Sequence, residues 1–147
     1  MSIKADIAAA MTTDAILTGL LPGGVYTGPQ LTPGMDAPHP FDAVGRVRPS
    51  ALVRMEASAT TGPANRFEHQ FALVFFYDAA GYEVITAALE RTQALLHGRY
   101  IGRGAFQVWQ IDAVYDQYDD ALAAFMHRAR FDVTRRIGGF DTWREQL

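Results

Sequence analysis

The sequence predicts an α+β fold, in which an antiparallel sheet of about four strands is packed by two helices and preceded by a long arm rich in proline and glycine. Three observations carry this prediction. Four segments alternate apolar and polar side chains as strands do, one long segment between the two pairs has helical spacing, and prolines and glycines gather before the first strand.

The composition of the chain favours some classes of protein and excludes others. The 147 residues fit one domain, and 49% hydrophobic with 20% charged residues is ordinary for a globular chain. A net charge of -3 argues against a nucleic-acid footprint over the whole surface, and zero cysteines exclude disulfides, thiolate metal sites and a cysteine nucleophile. The apolar runs are far shorter than a membrane span and no export signal pattern is present, so we expect a soluble, unexported protein without membrane contact.

The chain begins with an amphipathic helix and continues into the arm. Ser2 to Met11 places apolar residues on one helical face, and Asp14 then caps a further turn that ends before Pro22-Gly23-Gly24. From Val25 to Pro40 four prolines and further glycines interrupt regular hydrogen bonding, apart from a short strand at Val25-Tyr26. Loops of this length inside a compact domain are usually either functional or disordered, so the arm is a candidate contact surface.

Two strands are predicted after the arm. Ala51 to Glu56 alternates as the first strand, Ala57 to Arg66 is predicted as a polar loop, and Phe67 to Tyr77 alternates as the second strand. Val74 and Phe76 lie on the face of this strand opposite to its other aromatic residues. A solvated sheet face does not normally carry both, so we expect either helices or a neighbouring subunit to cover them.

A long helix separates the two pairs of strands. Apolar residues recur at spacings of three and four from Tyr82 to Leu96, which predicts one buried helical face. Asp78 is predicted to cap this helix, and Gly98 is a typical C-terminal stop.

The second pair of strands follows the helix. Phe106 to Tyr115 is predicted as the third strand, and its Phe106 and Val108 add to the surplus apolar face. Asp116 to Asp120 is predicted as a polar turn, and Phe125 to Thr134 as the fourth strand. The fourth strand also satisfies helical spacing at Leu122, Phe125, Met126, Ala129 and Val133, so helix remains its alternative.

The predicted domain covers residues 1–137, and residues 138–147 are predicted as a flexible tail. Gly138-Gly139 precede Phe140 and Trp143, which are candidate anchors on a partner because aromatic side chains bury a large area. On the fourth strand Arg128 and Arg130 form a basic edge that suits ion pairs between subunits or a solvated face.

No catalytic or metal-binding set is present in the sequence. The four histidines fall one to a segment, without a second ligand at metal spacing, and no serine occupies a G-x-S-x-G elbow. We therefore expect no enzyme activity, no metal site and no cofactor. The histidines are His39, His69, His97 and His127.

The ordered pattern resembles the tail terminator, or tail completion, proteins of long-tailed bacteriophages. The resemblance lies in the segment Asp14-Ala-Ile-Leu-Thr-Gly-Leu-Leu-Pro-Gly-Gly-Val-Tyr26 with the proline-rich arm after it, in Arg66 to Asp78 running into the helix that ends at Leu95-Leu96-His97-Gly98, and in Phe125 to Arg136. It covers residues 1–137 and consists of an arrangement of elements rather than a signature motif.

The resemblance implies a virion structural protein that closes into a homohexameric ring on the head-proximal end of the tail tube. Such a ring ends tube polymerisation and contacts two partners, the tail tube protein and the head connector or stopper protein. DNA passes through its lumen without sequence-specific binding. The implied location is the head-tail interface of the virion, after assembly in the host cytoplasm, and no cofactor is implied.

Two alternatives remain open from the sequence. One is another head-tail joining protein or a tail tube protein, which would carry more strands. The other is a small α+β ligand-binding or isomerase-type domain, for which an enclosed cavity at His69 and His127 would be the evidence.

Overall fold

The computed structural model describes residues 2–31, 39–101 and 106–137, which form a six-stranded mixed sheet, curled into a half-barrel, and three short helices. A single 3-10 turn, Pro63–Asn65, lies between two of the strands. The helices and strands are, in chain order, α1 Ile3–Thr12, α2 Ala15–Leu20, β1 Val25–Tyr26, β2 Ser50–Thr61, β3 Phe67–Asp78, α3 Glu83–Leu96, β4 Tyr100–Ile101, β5 Phe106–Asp119 and β6 Ala124–Arg136.

The predicted fold class, a four-stranded antiparallel sheet with two helices, is wrong, because the protein is mostly β. Two short strands enlarge the sheet: β1 adds to one edge in parallel with β2, and β4 adds to the other edge. The third helix is α2, which was predicted only as a turn. It forms because the Asp14 side chain accepts a hydrogen bond from the Leu17 N–H and so satisfies one of the free donors of the first turn.

The strands lie in the order β1-β2-β3-β6-β5-β4, and β3 and β6 are central. All contacts among β2, β3, β6 and β5 are antiparallel, so the parallel β1–β2 pair makes the sheet mixed. On one face Val53 lies opposite Val74, and Val74 lies opposite Ala129 on β6. This apolar row fixes the register, because a slip by one residue would turn every one of these side chains to the other face.

Two strands run further than predicted. Ala57 to Thr61, assigned to a polar loop from the sequence, continues β2, and Asp116 to Asp119, assigned to a turn, continues β5. Both continuations lie at sheet edges, where exposed polar side chains face solvent and the apolar alternation that identifies a strand is lost. In β5 the chain continues through an irregularity at which Asp116 adopts a left-handed conformation with φ of 58°.

The main core lies between one face of the sheet and the three helices. Apolar side chains from α1 and α3, such as Ile7 and Leu89, are fully buried against strand residues there. We call the other side of the sheet the open face; Leu73, Arg128 and Arg130 belong to it. At one end of the open face the arm residues Leu31 and Phe41 cover a second, smaller cluster that includes Leu52, Tyr77 and Ala124.

The ends of α3 differ in one respect from the prediction. Asp78 does not cap the helix, which begins at Glu83 with Tyr82 as the preceding residue; its carboxylate accepts a hydrogen bond from the Ala80 N–H instead. Gly98 follows the helix with φ of 75°, a conformation that glycine adopts without strain. Within the described residues, no helix combines the length and apolarity needed to cross a membrane.

Candidate interaction surfaces

The apolar residues that were predicted as contacts lie mostly inside the subunit. Val74, Phe76 and Val108 are fully buried in the core between the sheet and its own helices. Phe106 is half-buried, and the guanidinium group of Arg135 lies 4.7 Å from its ring centroid. The helices of the same chain therefore account for the covering of this face.

Arg130 lies at the centre of a charged row on the open face. Its Nε donates a hydrogen bond of 2.9 Å to Glu56 Oε1 across the intervening strand β3, and one terminal nitrogen forms an ion pair with the same oxygen at 2.8 Å. Asp112 lies on its other side at 3.9 Å, and the guanidinium group stacks 5.0 Å from the centroid of the Phe71 ring. Arg130 thus connects β2, β3, β6 and β5 and is occupied within its own chain.

Arg128 is less well satisfied than Arg130. Its nearest carboxylate oxygen, from Asp112, lies 3.8 Å away, which is beyond hydrogen-bond distance. Its Nε is buried and has no hydrogen-bond partner in the described part of the chain. The side chain as a whole is 31% exposed, so its terminal nitrogens, which lack a close carboxylate, can pair with a group that the isolated subunit does not provide.

His69 lies in a polar network near the far end of the open face. Its Nδ1 lies 2.9 Å from Asp132 Oδ2, and its Nε2 lies 2.7 Å from Thr61 Oγ1. A carboxylate only accepts, so Nδ1 carries the proton and Nε2 is free to accept from the Thr61 hydroxyl. Thr134 also donates to Asp132, at 2.7 Å. This row of hydroxyl, imidazole and carboxylate groups joins β2, β3 and β6. Thr61 is exposed at the end of β2, beyond the part of that strand that pairs with β1.

His127 lies on the opposite face of the sheet and is buried. Its Nδ1 accepts a hydrogen bond from the Asp116 N–H at 3.1 Å, so the ring proton is on Nε2, which donates to Thr86 Oγ1 at 2.7 Å. Burial lowers the pKa of His127, and the negative charge of Asp116 opposes that shift in part. His69 and His127 therefore do not share a cavity, contrary to the arrangement that a ligand-binding domain required.

An exposed apolar patch lies on β5. Ile111, Tyr115 and Tyr118, which we call the β5 patch, are 45, 45 and 51% exposed. Tyr115 packs against the His127 ring and Tyr118 against Phe125, with centroids 5.1 and 5.3 Å apart. Each tyrosine ring is thus packed against a ring of β6 on one side and exposed to solvent on the other. This arrangement is typical of an aromatic anchor for a protein partner.

A cavity of about 490 Å³ opens where the arm crosses the end of the open face. Arg54 and Asp119 supply opposite charges at its wall, and Tyr77 supplies a hydroxyl that makes no hydrogen bond within the described residues. Burial, followed by the charge of Asp119, raises the pKa of Tyr77 to about 12. The apolar part of the lining consists of Pro29, Leu31, Phe41, Leu52, Ala121 and Leu122.

The remaining predicted contacts, Phe140 and Trp143, lie outside the described residues. Within those residues no group of three or more metal-ligating side chains is close enough to hold an ion. Sequence reasoning missed the partnership of Arg130 with Glu56 and Asp112, as well as the exposure of Tyr115 and Tyr118. Register irregularities lie beside both features, and they leave no mark in the alternation of apolar and polar residues.

Comparison with known proteins gives a likeness of fold. No protein-family model matches the sequence, and no curated protein sequence matches it either. Among solved structures, the protein is similar to a chain in the virion of a native gene transfer agent particle, with a TM-score of 0.60 and 18% sequence identity. The match covers 94% of this chain and 96% of the other. At this identity the likeness establishes a shared fold.

Proposed function

We propose that the protein is a virion structural protein that caps the head-proximal end of a tail tube as a hexameric ring. The observation that carries the proposal is the match of the whole fold, over 94% of this chain, to a chain of a phage-like virion particle. The elements that make up this fold include the segments on which the sequence resembles tail terminators, among them Asp14 to Tyr26 and Phe125 to Arg136. Fold alone does not give function, so the experiment below is required.

The ring we propose is built from heterologous contacts, in which one patch of a subunit meets a different patch of the next. The β5 patch supports this, because three large side chains of one strand are exposed in the subunit. Arg128 supports it too, because its guanidinium group lacks a close partner in its own chain. Arg130 remains a predicted contact, although its hydrogen bond and ion pair with Glu56 already occupy it.

The proposed partners are a second copy of the chain, the tail tube protein on one side of the ring and the head connector or stopper protein on the other. DNA passes through the lumen without sequence-specific binding. The role is structural, so it needs neither a catalytic residue nor a cofactor. The proposed site is the head-tail interface of a virion, after assembly in the host cytoplasm.

A tail tube subunit is the second candidate. It is favoured by the strand count, because the sheet has six strands where four were expected and tube proteins carry more strands. Two of the six are only two residues long, so the extension is slight.

The proposal is tested by making particles without this chain and imaging them by electron microscopy. Filled heads beside unattached tails of abnormal or excessive length are the expected result. A tube subunit would instead leave no tail tubes at all. Normal, joined particles would overturn both candidates.

A further inference from the structure

The cavity under the arm is shaped to accept a side chain from another molecule. Its volume, about 490 Å³, lies within the range of roughly 300 to 1,000 Å³ that is common for sites that enclose small ligands, so an indole ring fits. Its apolar lining is flanked by Arg54 and Asp119, and the wall contains the Tyr77 hydroxyl, which makes no hydrogen bond within the described residues. An occupant with a large aromatic ring, one hydrogen-bond donor and a charge of each sign would match it.

The sequence after the last described strand has this chemistry. Trp143 carries a ring N–H that needs a partner when it is buried. Asp141 precedes it by two residues and Arg144 follows it directly. The charge of Asp141 is opposite to that of Arg54, and the charge of Arg144 is opposite to that of Asp119.

The tail of the same copy falls short of the far end of the cavity. The described chain ends at Ile137, where its N–H donates to the Arg66 carbonyl, while Asp119, at the far end of the cavity, pairs with Ala124, the first residue of β6. The thirteen residues of β6 span about 40 Å. Arg144 is seven residues beyond Ile137, so its Cα can lie at most about 25 Å away, and an arginine side chain does not span the remaining distance. An occupant that meets both Arg54 and Asp119 must therefore come from a second copy.

We propose that Trp143 of one copy inserts into the cavity of the next, with Asp141 facing Arg54 and Arg144 facing Asp119. The contact is heterologous, so it links copies in series rather than closing a symmetric pair. This inference needs a second copy of the chain but not the tail-capping role, and the two can fail separately.

The test uses the full chain with the photoreactive residue p-benzoylphenylalanine in place of Trp143. Unlabelled and 15N-labelled copies are mixed, irradiated, digested and analysed by mass spectrometry. The expected cross-links join the tail to the segment around Leu122 or Phe41, and carry one labelled and one unlabelled peptide. Cross-links confined to single copies, cross-links to residues 32–38 or another surface, or a protein that stays monomeric would each overturn the proposal.

A charge exchange tests the pairing itself. Arg54 is exposed and, among the described residues, donates a single long hydrogen bond, of 3.5 Å to the Pro29 carbonyl, so changing it should spare the fold. Arg54→Glu and Asp141→Arg should each weaken self-association about fivefold by sedimentation, and the double variant should restore it. Trp143→Ala should weaken it about thirtyfold, whereas Tyr100→Ala, at an exposed aromatic residue away from the cavity, should not. Single variants that associate normally would overturn the pairing, and so would a double variant that is no better than either.

Discussion

Arg91 and Asp14, which are 77 residues apart, form a bidentate ion pair that also caps a helix. Arg91 donates from Nε and Nη2 at 2.9 and 2.7 Å, and the same carboxylate accepts from the Leu17 N–H at the start of α2. One carboxylate therefore both begins α2 and attaches it to α3. The Arg91 hydrogen bonds are the main reason that the pKa of Asp14 is lowered to about 2.

Replacement of Asp14 should lower stability, and by an amount that depends on pH. A carboxyl group with a depressed pKa contributes stability that is present above the unfolded value, near 3.8, and lost as pH falls towards about 2. Thermal unfolding of Asp14→Asn at pH 7 should give a lower Tm than the parent, and the difference should shrink between pH 4 and pH 2. Glu90→Gln, at the exposed neighbour of Arg91, is the control and should leave Tm unchanged.

His127 should make stability rise with pH. Burial lowers its folded pKa below the ordinary 6.5, so on acidification the unfolded chain takes up a proton before the folded one does. Unfolding free energy should therefore fall as pH drops from about 6.5 to the lowered folded value. Protonation of Nδ1 would also remove the acceptor of the Asp116 N–H. In His127→Gln the slope in this window should flatten, and an unchanged slope would assign it to other groups.

Two phenylalanines on β3 should differ sharply in their contribution to stability. Phe76 is fully buried beneath the helices, whereas Phe67 is 40% exposed at the start of the strand. Phe76→Ala should cost about 3 to 5 kcal/mol in urea unfolding, because it removes buried area and leaves a cavity. Phe67→Ala should cost about 1 kcal/mol or less. Equal losses would mean that the core is not where the structure places it.

Substitutions of Arg128 and Arg130 should have different effects, one on assembly of the proposed ring and the other on stability of the fold. Arg130→Met breaks the pair with Glu56 and should cost about 0.5 to 1 kcal/mol, since both groups are partly exposed. Arg128→Met removes a group without a close partner and should leave Tm nearly unchanged while it weakens the proposed ring, as measured by light scattering during gel filtration. If Arg128→Met assembled fully, this residue would be excluded from the subunit contact.

The sequence predicts those elements whose periodicity is imposed by burial. Phe67 to Tyr77 and Tyr82 to Leu96 each have one face in the core, so their apolar spacing was sufficient to identify β3 and α3. Ala57 to Thr61 has no buried face, and its membership of β2 depends on backbone pairing with β3, which side-chain pattern does not encode. The fourth strand, for which helix was the alternative, is β6 and pairs along its whole length.

Surface features were harder to predict than the core. The Arg130–Glu56 pair spans three strands, and an irregularity between Met55 and Ala57 accompanies it. Val74 and Phe76 were predicted to be covered, and the sequence left open whether helices or a neighbouring subunit covered them. Their complete burial depends on how the helices pack, which is a tertiary property.

The irregularities in β2 and β5 bear on whether copies of the protein can add to one another at strand edges. Each lies on a long strand whose outer edge is paired by described residues only near one end, through β1 or β4. A regular strand edge is a template on which further chains can add without limit, and a bulge interrupts that template. The two irregularities therefore act against fibres in which the β2 edge of one copy adds to the β5 edge of the next.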